Sequence, residues 1–136
     1  MQFVDVIGQN VLSTRLRDGV LSGRIAHAQL FEGSQGSGGL ALARAYAQYI
    51  HCTDRTKEDS CGVCTSCLAH KKVQHPDLHW SFPFFKKDGS GTSISDPFQI
   101  AWRQLMLESG YVGLEDWLTK IEADKKQLFI SVDEAL

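Results

Sequence analysis

The sequence has 136 residues with 14 basic and 16 acidic side chains, so its formal net charge is −2, and 43% of its residues are hydrophobic. This length is enough for one hydrophobic core and leaves little room for a second independent domain. The two signs of charge are interspersed, which argues against a basic nucleic-acid-binding arm, and the apolar runs are shorter than the roughly 18 residues of a membrane span. Asp5 stands where a signal peptide would carry positive charge, so a cytoplasmic location is expected.

The first part of the chain has the pattern of a helix, a strand, a glycine-rich loop and a second helix. Helical spacing of apolar residues predicts an amphipathic helix over Asn10–Leu21. Its apolar positions are Val11, Leu12, Leu16 and Val20. Gln29–Phe31 is predicted to be a short buried strand, because the glycine-rich run after it ends any regular element, and Leu40–Ile50 is predicted to be a buried helix. Strand, loop and helix in this order form the first half of a βαβ unit.

The sequence of the second part of the chain has the pattern of a strand, a loop and two helices. Apolar and polar residues alternate over Asp77–Phe82, which favours a strand, and Lys86–Ser95 has the composition of a mobile loop. Asp96 followed by proline is typical of a helix start, and this helix should stop by Gly110. A further helix is predicted over Leu114–Ile121. The aromatic residues in both helices have core spacing and are interpreted as packing residues.

Four cysteines with the spacing C-x8-C-x2-C-x2-C, here called the cysteine cluster, indicate a metal site: Cys52, Cys61, Cys64 and Cys67. Four thiolates suit a tetrahedral zinc ion and leave no coordination position for water, so the site is predicted to be structural. Free thiols, two disulfides and an iron–sulfur cluster are the alternatives. The nearby histidines are expected to be ordinary polar or structural residues: His51, His70, His75 and His79.

The run Gly33–Leu40, here called the glycine loop, has the frame of the phosphate-binding loop G-x-x-x-x-G-K-[ST]. Gly39 occupies the position of the lysine that reaches the nucleotide phosphates, and Leu40 occupies that of the hydroxyl that ligates magnesium. The residues of this altered loop are Gly33, Gly36, Ser37, Gly38, Gly39 and Leu40. We favour a phosphate loop that has lost its nucleotide; weak binding through the backbone alone and an unrelated glycine-rich turn are the alternatives.

The run Leu128–Glu134 has two interpretations. It is similar to the apolar strand that ends in the Asp-Glu pair of such ATPases, here Asp133 and Glu134. Alternatively, Ser131 or Asp133 caps a helix, with the acidic residues in its first turn. We favour the cap, because an acid that serves a nucleotide-bound metal has little use beside a loop without its lysine.

Several motifs in the same order resemble the AAA+ clamp-loader subunits of bacterial DNA polymerase III. Phe3–Gln9 resembles their N-terminal box, and Gly23–Phe31 is similar to the segment that leads into their phosphate loop. The cysteine cluster resembles the zinc module inserted in the gamma/tau and delta-prime subunits, and His75–Leu78 resembles the strand after it. The resemblance covers Phe3 to about Phe82.

This resemblance implies an α/β fold, a P-loop NTPase-like (AAA+) parallel sheet flanked by helices, with an inserted four-cysteine zinc module at about 51–70. A loop and two helices at about 86–124 are longer than the usual connection. The Ser-Arg-Cys motif, the lid and the collar domain do not occur, so residues 1–136 are expected to be an N-terminal fragment with an incomplete sheet. By family position, Ile130–Leu136 precedes the true Asp-Glu strand.

The missing lysine and hydroxyl resemble the delta-prime subunit, which implies a non-catalytic member of the assembly that places the sliding clamp on primed DNA. Its partners would be the gamma/tau and delta subunits, with structural zinc as cofactor and no expected use of ATP. One alternative is a gamma/tau-type ATPase module. Another is a free-standing zinc-ribbon DNA-binding protein, which the acidic balance and the few basic residues near the cysteines disfavour.

Overall fold

The structure, a computed structural model, describes residues 1–86, 95–123 and 126–131. The chain divides into two compact units, Met1–Pro76 (the first unit) and Asp77–Leu136 (the second unit), each of which is described by itself. The regular elements of the described residues are helices. None of these helices is long and apolar enough to cross a membrane.

Helices form the core of the first unit. Its elements are a 3₁₀ turn at Phe3–Asp5 and the helices α1 (Asn10–Leu21), α2 (Gly39–His51) and α3 (Thr65–Lys71). Its buried apolar cluster consists of Phe3, Val6, Val20, Leu42, Ala45, Tyr46 and Tyr49. The helix predictions for α1 and α2 are confirmed, whereas α3 was not predicted as a helix from the sequence.

The buried face of α1 differs from the predicted one. Val11 and Leu12 are 67% and 45% exposed, whereas Ser13 is only 4% exposed and Val20 is buried. The inward face therefore follows positions 13, 16, 17 and 20, which share one side of a 3.6-residue helix. Arg17 joins this face because its guanidinium lies 5.3 Å from the ring centre of Phe3, within cation–π range.

Helix α2 is the most buried element of the first unit. Its sequence predicts two neighbouring apolar faces. The face of Leu42, Tyr46 and Tyr49 points into the core, whereas the other face is only half-buried: Leu40, Ala43, Ala47 and Ile50. The edge of Tyr49 packs against Phe3 with ring centres 5.6 Å apart. Because α2 runs from the glycine loop to the first cysteine, its rigid packing fixes the positions of both candidate sites.

The predicted parallel sheet is not formed by the residues that the structure describes, and this prediction was wrong for them. Gln29–Phe31 and Asp77–Phe82 have no regular secondary structure. A strand exists only when the backbone of a neighbour completes its hydrogen bonds, and the described residues place no such neighbour beside either segment. The strand-like pairing that is present is an isolated antiparallel bridge between Phe84 and Phe129, with both N···O distances 3.0 Å.

The second unit is an aromatic core around two helices, α4 (Gln99–Glu108) and α5 (Leu114–Lys120). Trp117 is 1% exposed and donates its indole N–H to the carbonyl of Pro83 at 2.6 Å. Its ring meets Trp102 edge-on at 5.1 Å. The interpretation of these aromatic residues as packing residues is therefore confirmed. Helix α5 lies where the sequence places it. The predicted helix start at Asp96 instead forms a 3₁₀ turn over Asp96–Phe98, and α4 begins at Gln99.

Two predictions fall outside the described residues. The first is the loop predicted at Lys86–Ser95, of which residues 87–94 are not described. The second concerns Asp133 and Glu134, which are also not described. The comparison with an Asp-Glu strand depends on both residues, and the helix cap by Asp133 depends on the first of them.

Candidate metal centre and glycine loop

The fold brings the four thiols of the cysteine cluster together. The Sγ atoms of Cys52, Cys61, Cys64 and Cys67 all lie within 4.8 Å of one another. Cys52 follows the last residue of α2, Cys64 is the N-cap of α3, and Cys67 lies in the first turn of α3. Cys52 and Cys67 are buried, which places the centre of the cluster away from solvent.

Backbone N–H groups point at three of the sulfurs. The N–H of Cys61 donates to Cys52 Sγ at 3.2 Å, that of Cys64 to Cys61 Sγ at 3.3 Å, and that of Cys67 to Cys64 Sγ at 3.4 Å. Gly62 makes the turn between the second and third cysteines at a φ of +74°, which residues with a Cβ adopt rarely. Such bonds stabilise sulfur that carries negative charge, the form that binds a metal.

The four thiols differ in their affinity for protons. Hydrogen bonds from the backbone of Cys67, and then of Thr53, lower the pKa of Cys64 to about 5. Burial raises the pKa of Cys67 to about 12, and the hydrogen bond with Cys64 adds to this increase. Burial also raises the pKa of Cys52. The cluster without metal therefore holds one thiolate at Cys64 and protonated thiols at Cys52 and Cys67 near neutral pH.

The geometry fits a single tetrahedral ion. Zinc–sulfur bonds of about 2.3 Å at tetrahedral angles separate the sulfurs by about 3.8 Å. Cys61 Sγ and Cys67 Sγ lie 4.0 Å apart, much farther than the roughly 2.05 Å of a disulfide. An iron–sulfur cluster needs wider spacing, because several iron atoms lie between its thiolates. Four sulfur donors are the set that structural zinc prefers.

The segment between the first two cysteines is tied to α2. Arg55 Nη1 donates to the last-turn carbonyls of Tyr49 and Ile50, at 3.0 and 2.6 Å, where a cation also complements the helix dipole. The hydroxyl of Tyr49 donates to the carbonyl of Thr56. The carboxylate of Asp59 accepts N–H bonds from the 3₁₀ turn near the start of the chain. These contacts hold the segment so that it delivers Cys61 to Cys52.

The glycine loop leads directly into the N-terminus of α2. Gly36 lies in its tight turn and Gly38 is the helix N-cap, both with a φ of +82°. Gly39 is the first residue of the helix, and the half-buried Leu40 is the second. The glycine loop thus leads into a helix N-terminus, and neither Gly39 nor Leu40 supplies a polar side chain there.

A cavity of about 460 Å³ lies beside this loop. Gly33, Ser37, Gly38 and Gly39 line it together with apolar residues of α1 and of the segment before the loop. Arg15 and Glu32 also line it, so one cationic side chain is balanced by one carboxylate. The cavity thus lacks the excess of positive charge that a triphosphate needs.

Three of the four histidines expected to be ordinary residues converge. One ring nitrogen from each of His51, His70 and His75 lies within 4.8 Å of the other two. Burial, together with the neighbouring His75 and His51, lowers the pKa of His70 to about 3. One sequence signal could have identified this group. His51 is adjacent to Cys52, and His70 follows Cys67 by three residues, so cysteines that converge bring these two histidines close together.

A family profile described as "DNA polymerase III, delta subunit" matches residues 8–110, about three quarters of the chain. The chain belongs to this family. The match includes the glycine loop and the cysteine cluster, so both candidate sites lie within the part that relates the chain to the family.

Proteins similar to this chain include bacterial DNA polymerase III subunits and a plant protein. The chain is 38% identical to DNA polymerase III subunit tau of Escherichia coli over 76 residues, which cover 56% of this chain and 12% of that protein. It is 34% identical to DNA polymerase III subunit gamma of Buchnera aphidicola over 57% of this chain and 21% of that one. Protein STICHEL-like 4 of Arabidopsis thaliana is 31% identical over 50% of this chain and 7% of its own length. No solved structure matches.

Proposed function

We propose that this chain is a delta-prime-like, non-hydrolysing subunit of the bacterial DNA polymerase III clamp loader. One observation carries the proposal: Gly39 and Leu40 stand at the junction of loop and helix where a working site needs lysine and a hydroxyl. Membership of the delta-subunit family and the similarity to gamma and tau subunits support the proposal that the chain works in this complex. In this role the chain works in the cytoplasm beside gamma/tau and delta subunits and reaches the sliding clamp and primed DNA through them.

The cysteine cluster is proposed to hold one structural zinc ion in a module at about 51–70. The convergence of its four sulfurs and the backbone bonds to them support this assignment. When bound, zinc supplies a fixed tetrahedral link between its four ligands. The chain's own residues deliver those ligands from the end of α2, the intervening segment and the start of α3. The loop and helices at about 86–124 are proposed to be an extension relative to the family's usual connection.

Nucleotide binding tests the proposal directly. Calorimetric titration of the zinc-loaded chain with ATP and magnesium should give no magnesium-dependent binding at about millimolar ATP, where a Kd of 1 mM corresponds to about −4.1 kcal/mol. In parallel, the chain mixed with gamma/tau and delta subunits should enter a complex on gel filtration. Tight, magnesium-dependent ATP binding or failure to join that complex would contradict the delta-prime-like role.

A gamma/tau-type ATPase module is the second candidate, favoured by the 38% identity to the tau subunit. Such a module would bind ATP in a magnesium-dependent way, although position 39 carries glycine and not lysine. If ATP binds only after a second subunit is added, a site completed by that subunit replaces the delta-prime-like assignment.

A further inference from the structure

A second group of metal-binding side chains lies in the first unit, outside the cysteine cluster. His51 Nδ1 and His70 Nε2 are 2.8 Å apart, and the two rings stack with centres 5.0 Å apart. The ring of His75 lies 4.3 Å from that of His51 and 4.4 Å from that of His70. Three imidazoles therefore meet around one point of the first unit.

Separate elements deliver the three rings. His51 is the last residue of α2, and His70 lies in the last turn of α3. The chain then reverses at Val73, whose φ of +53° is rare for a β-branched residue, and this turn precedes His75. The convergence therefore depends on the packing of α3 against α2 and on the turn after α3.

The distances suit a metal ion. Zinc–nitrogen bonds of about 2.05 Å at tetrahedral angles separate ligand nitrogens by about 3.3 Å. The 2.8 Å between His51 Nδ1 and His70 Nε2 needs to open by about half an ångström. The rings of His51 and His75 are stacked at an interplanar angle of only 4°, so at least one of them must turn until both ring planes contain the ion. The imidazole that donates between His51 and His70 moves its proton to its other nitrogen, so that both nitrogens present a lone pair to the ion.

The surroundings of the rings also suit a metal site. Ser66 Oγ lies 3.0 Å from His75 Nε2, so this hydroxyl can help to orient the ring. His70 is only 6% exposed, so its ring is shielded from bulk water.

We propose that His51, His70 and His75 form a second metal site, which takes one zinc ion through three imidazole nitrogens. Three nitrogen donors leave the fourth tetrahedral position to water or an external ligand, unlike the closed shell of four cysteines. The site goes beyond the proposed role in the clamp loader and does not depend on it. It predicts a second zinc equivalent per chain, bound by nitrogen.

Metal stoichiometry tests this site. The full chain, reduced and loaded with zinc alone, is passed over gel filtration, and zinc per chain is measured by elemental analysis. Two equivalents are expected for the unchanged chain and one for His51→Gln or His75→Gln, both of which replace half-buried residues. His27→Gln is the matched control, because His27 is exposed and lies in the same unit, and it should keep both equivalents.

A Cys61→Ser/Cys64→Ser variant separates the two sites. It should retain one zinc, and adding His75→Gln should remove it. If the unchanged chain holds one zinc that the cysteine substitutions remove and the histidine substitutions leave, the histidine site is wrong. If the histidine substitutions remove the single zinc and the cysteine substitutions do not, the proposed cysteine site fails instead.

A measurement on the unchanged chain avoids any effect of substitution on folding. Histidine ring resonances are followed by NMR while zinc is added. During the second equivalent, the signals of His51, His70 and His75 should shift and those of His27 and His79 should not. Uniform small shifts of all five histidines would indicate non-specific binding and overturn the proposal.

Discussion

The two ends of helix α2 carry candidate sites that differ in what they retain. At its N-terminus, the glycine loop leads into the helix through Gly38, but Gly39 and Leu40 lack the polar side chains that a phosphate site would need there. Beyond its C-terminus, Cys52 belongs to a complete set of four sulfur donors. Backbone geometry and side-chain chemistry are therefore separable: glycines and a helix start preserve a shape, whereas binding needs donors of the right charge.

Removing one sulfur should have the largest effect. Cys64→Ser keeps a good N-cap for α3 but removes a thiolate ligand. In the presence of zinc, urea denaturation should show a loss of more than about 4 kcal/mol in the free energy of unfolding, since loss of a metal is among the most destabilising changes. In excess chelator the unchanged chain and Cys64→Ser should have the same free energy of unfolding. A difference that persists in chelator would mean that lost packing, and not lost metal, causes the destabilisation.

The second largest effect concerns pH. Near neutral pH, Cys64 is already ionised because its pKa is lowered to about 5, whereas Cys52 and Cys67 have raised pKa values and must each release a proton when zinc binds. Zinc affinity should therefore fall at least about 100-fold per unit of decreasing pH between about pH 6 and 8. Calorimetry in buffers of different ionisation enthalpy counts the protons. Release of fewer than two per ion would contradict this assignment of protonation states.

Restoring side chains at the other end of α2 should have a moderate effect. A Cβ at Gly39 would meet the carbonyl of Phe31 at 3.7 Å, an ordinary contact, so the backbone there accepts a residue with a side chain. Gly39→Lys with Leu40→Thr should strengthen magnesium-dependent ATP binding at least about tenfold, the scale of one charge-assisted hydrogen bond. Leu40→Thr alone is the control. Unchanged binding in the double variant would mean that the loop is not in phosphate-binding register.

The smallest expected effect lies in the segment between the first two cysteines. Arg55→Gln removes the cation that bonds the carbonyls of Tyr49 and Ile50, and the free energy of unfolding should fall by about 1 kcal/mol. Lys57→Gln changes the same charge on an exposed side chain of the same segment and should be nearly neutral. Equal losses in the two variants, measured by thermal denaturation, would indicate a general effect of charge.

Local patterns in the sequence predicted α1, α2, α4 and α5, because helical spacing and turn residues act over a few positions. They did not identify the inward face of α1, where Ser13 is buried and Val11 is exposed, since the choice of face depends on what α2 offers to it. The strands predicted at Gln29–Phe31 and Asp77–Phe82 failed for a related reason. A strand is stabilised by a partner that is distant in sequence, and the described residues place none beside either segment.

The cysteine spacing and the altered glycine loop were evident in the sequence, because each is a short motif whose chemistry depends on residue type and separation. The meeting of His51, His70 and His75 was not, since it requires α3 to pack against α2 and the chain to turn at Val73. A motif within a few residues is encoded by local geometry, whereas a site assembled from two helices and a turn exists only when non-local packing brings its side chains within bonding distance.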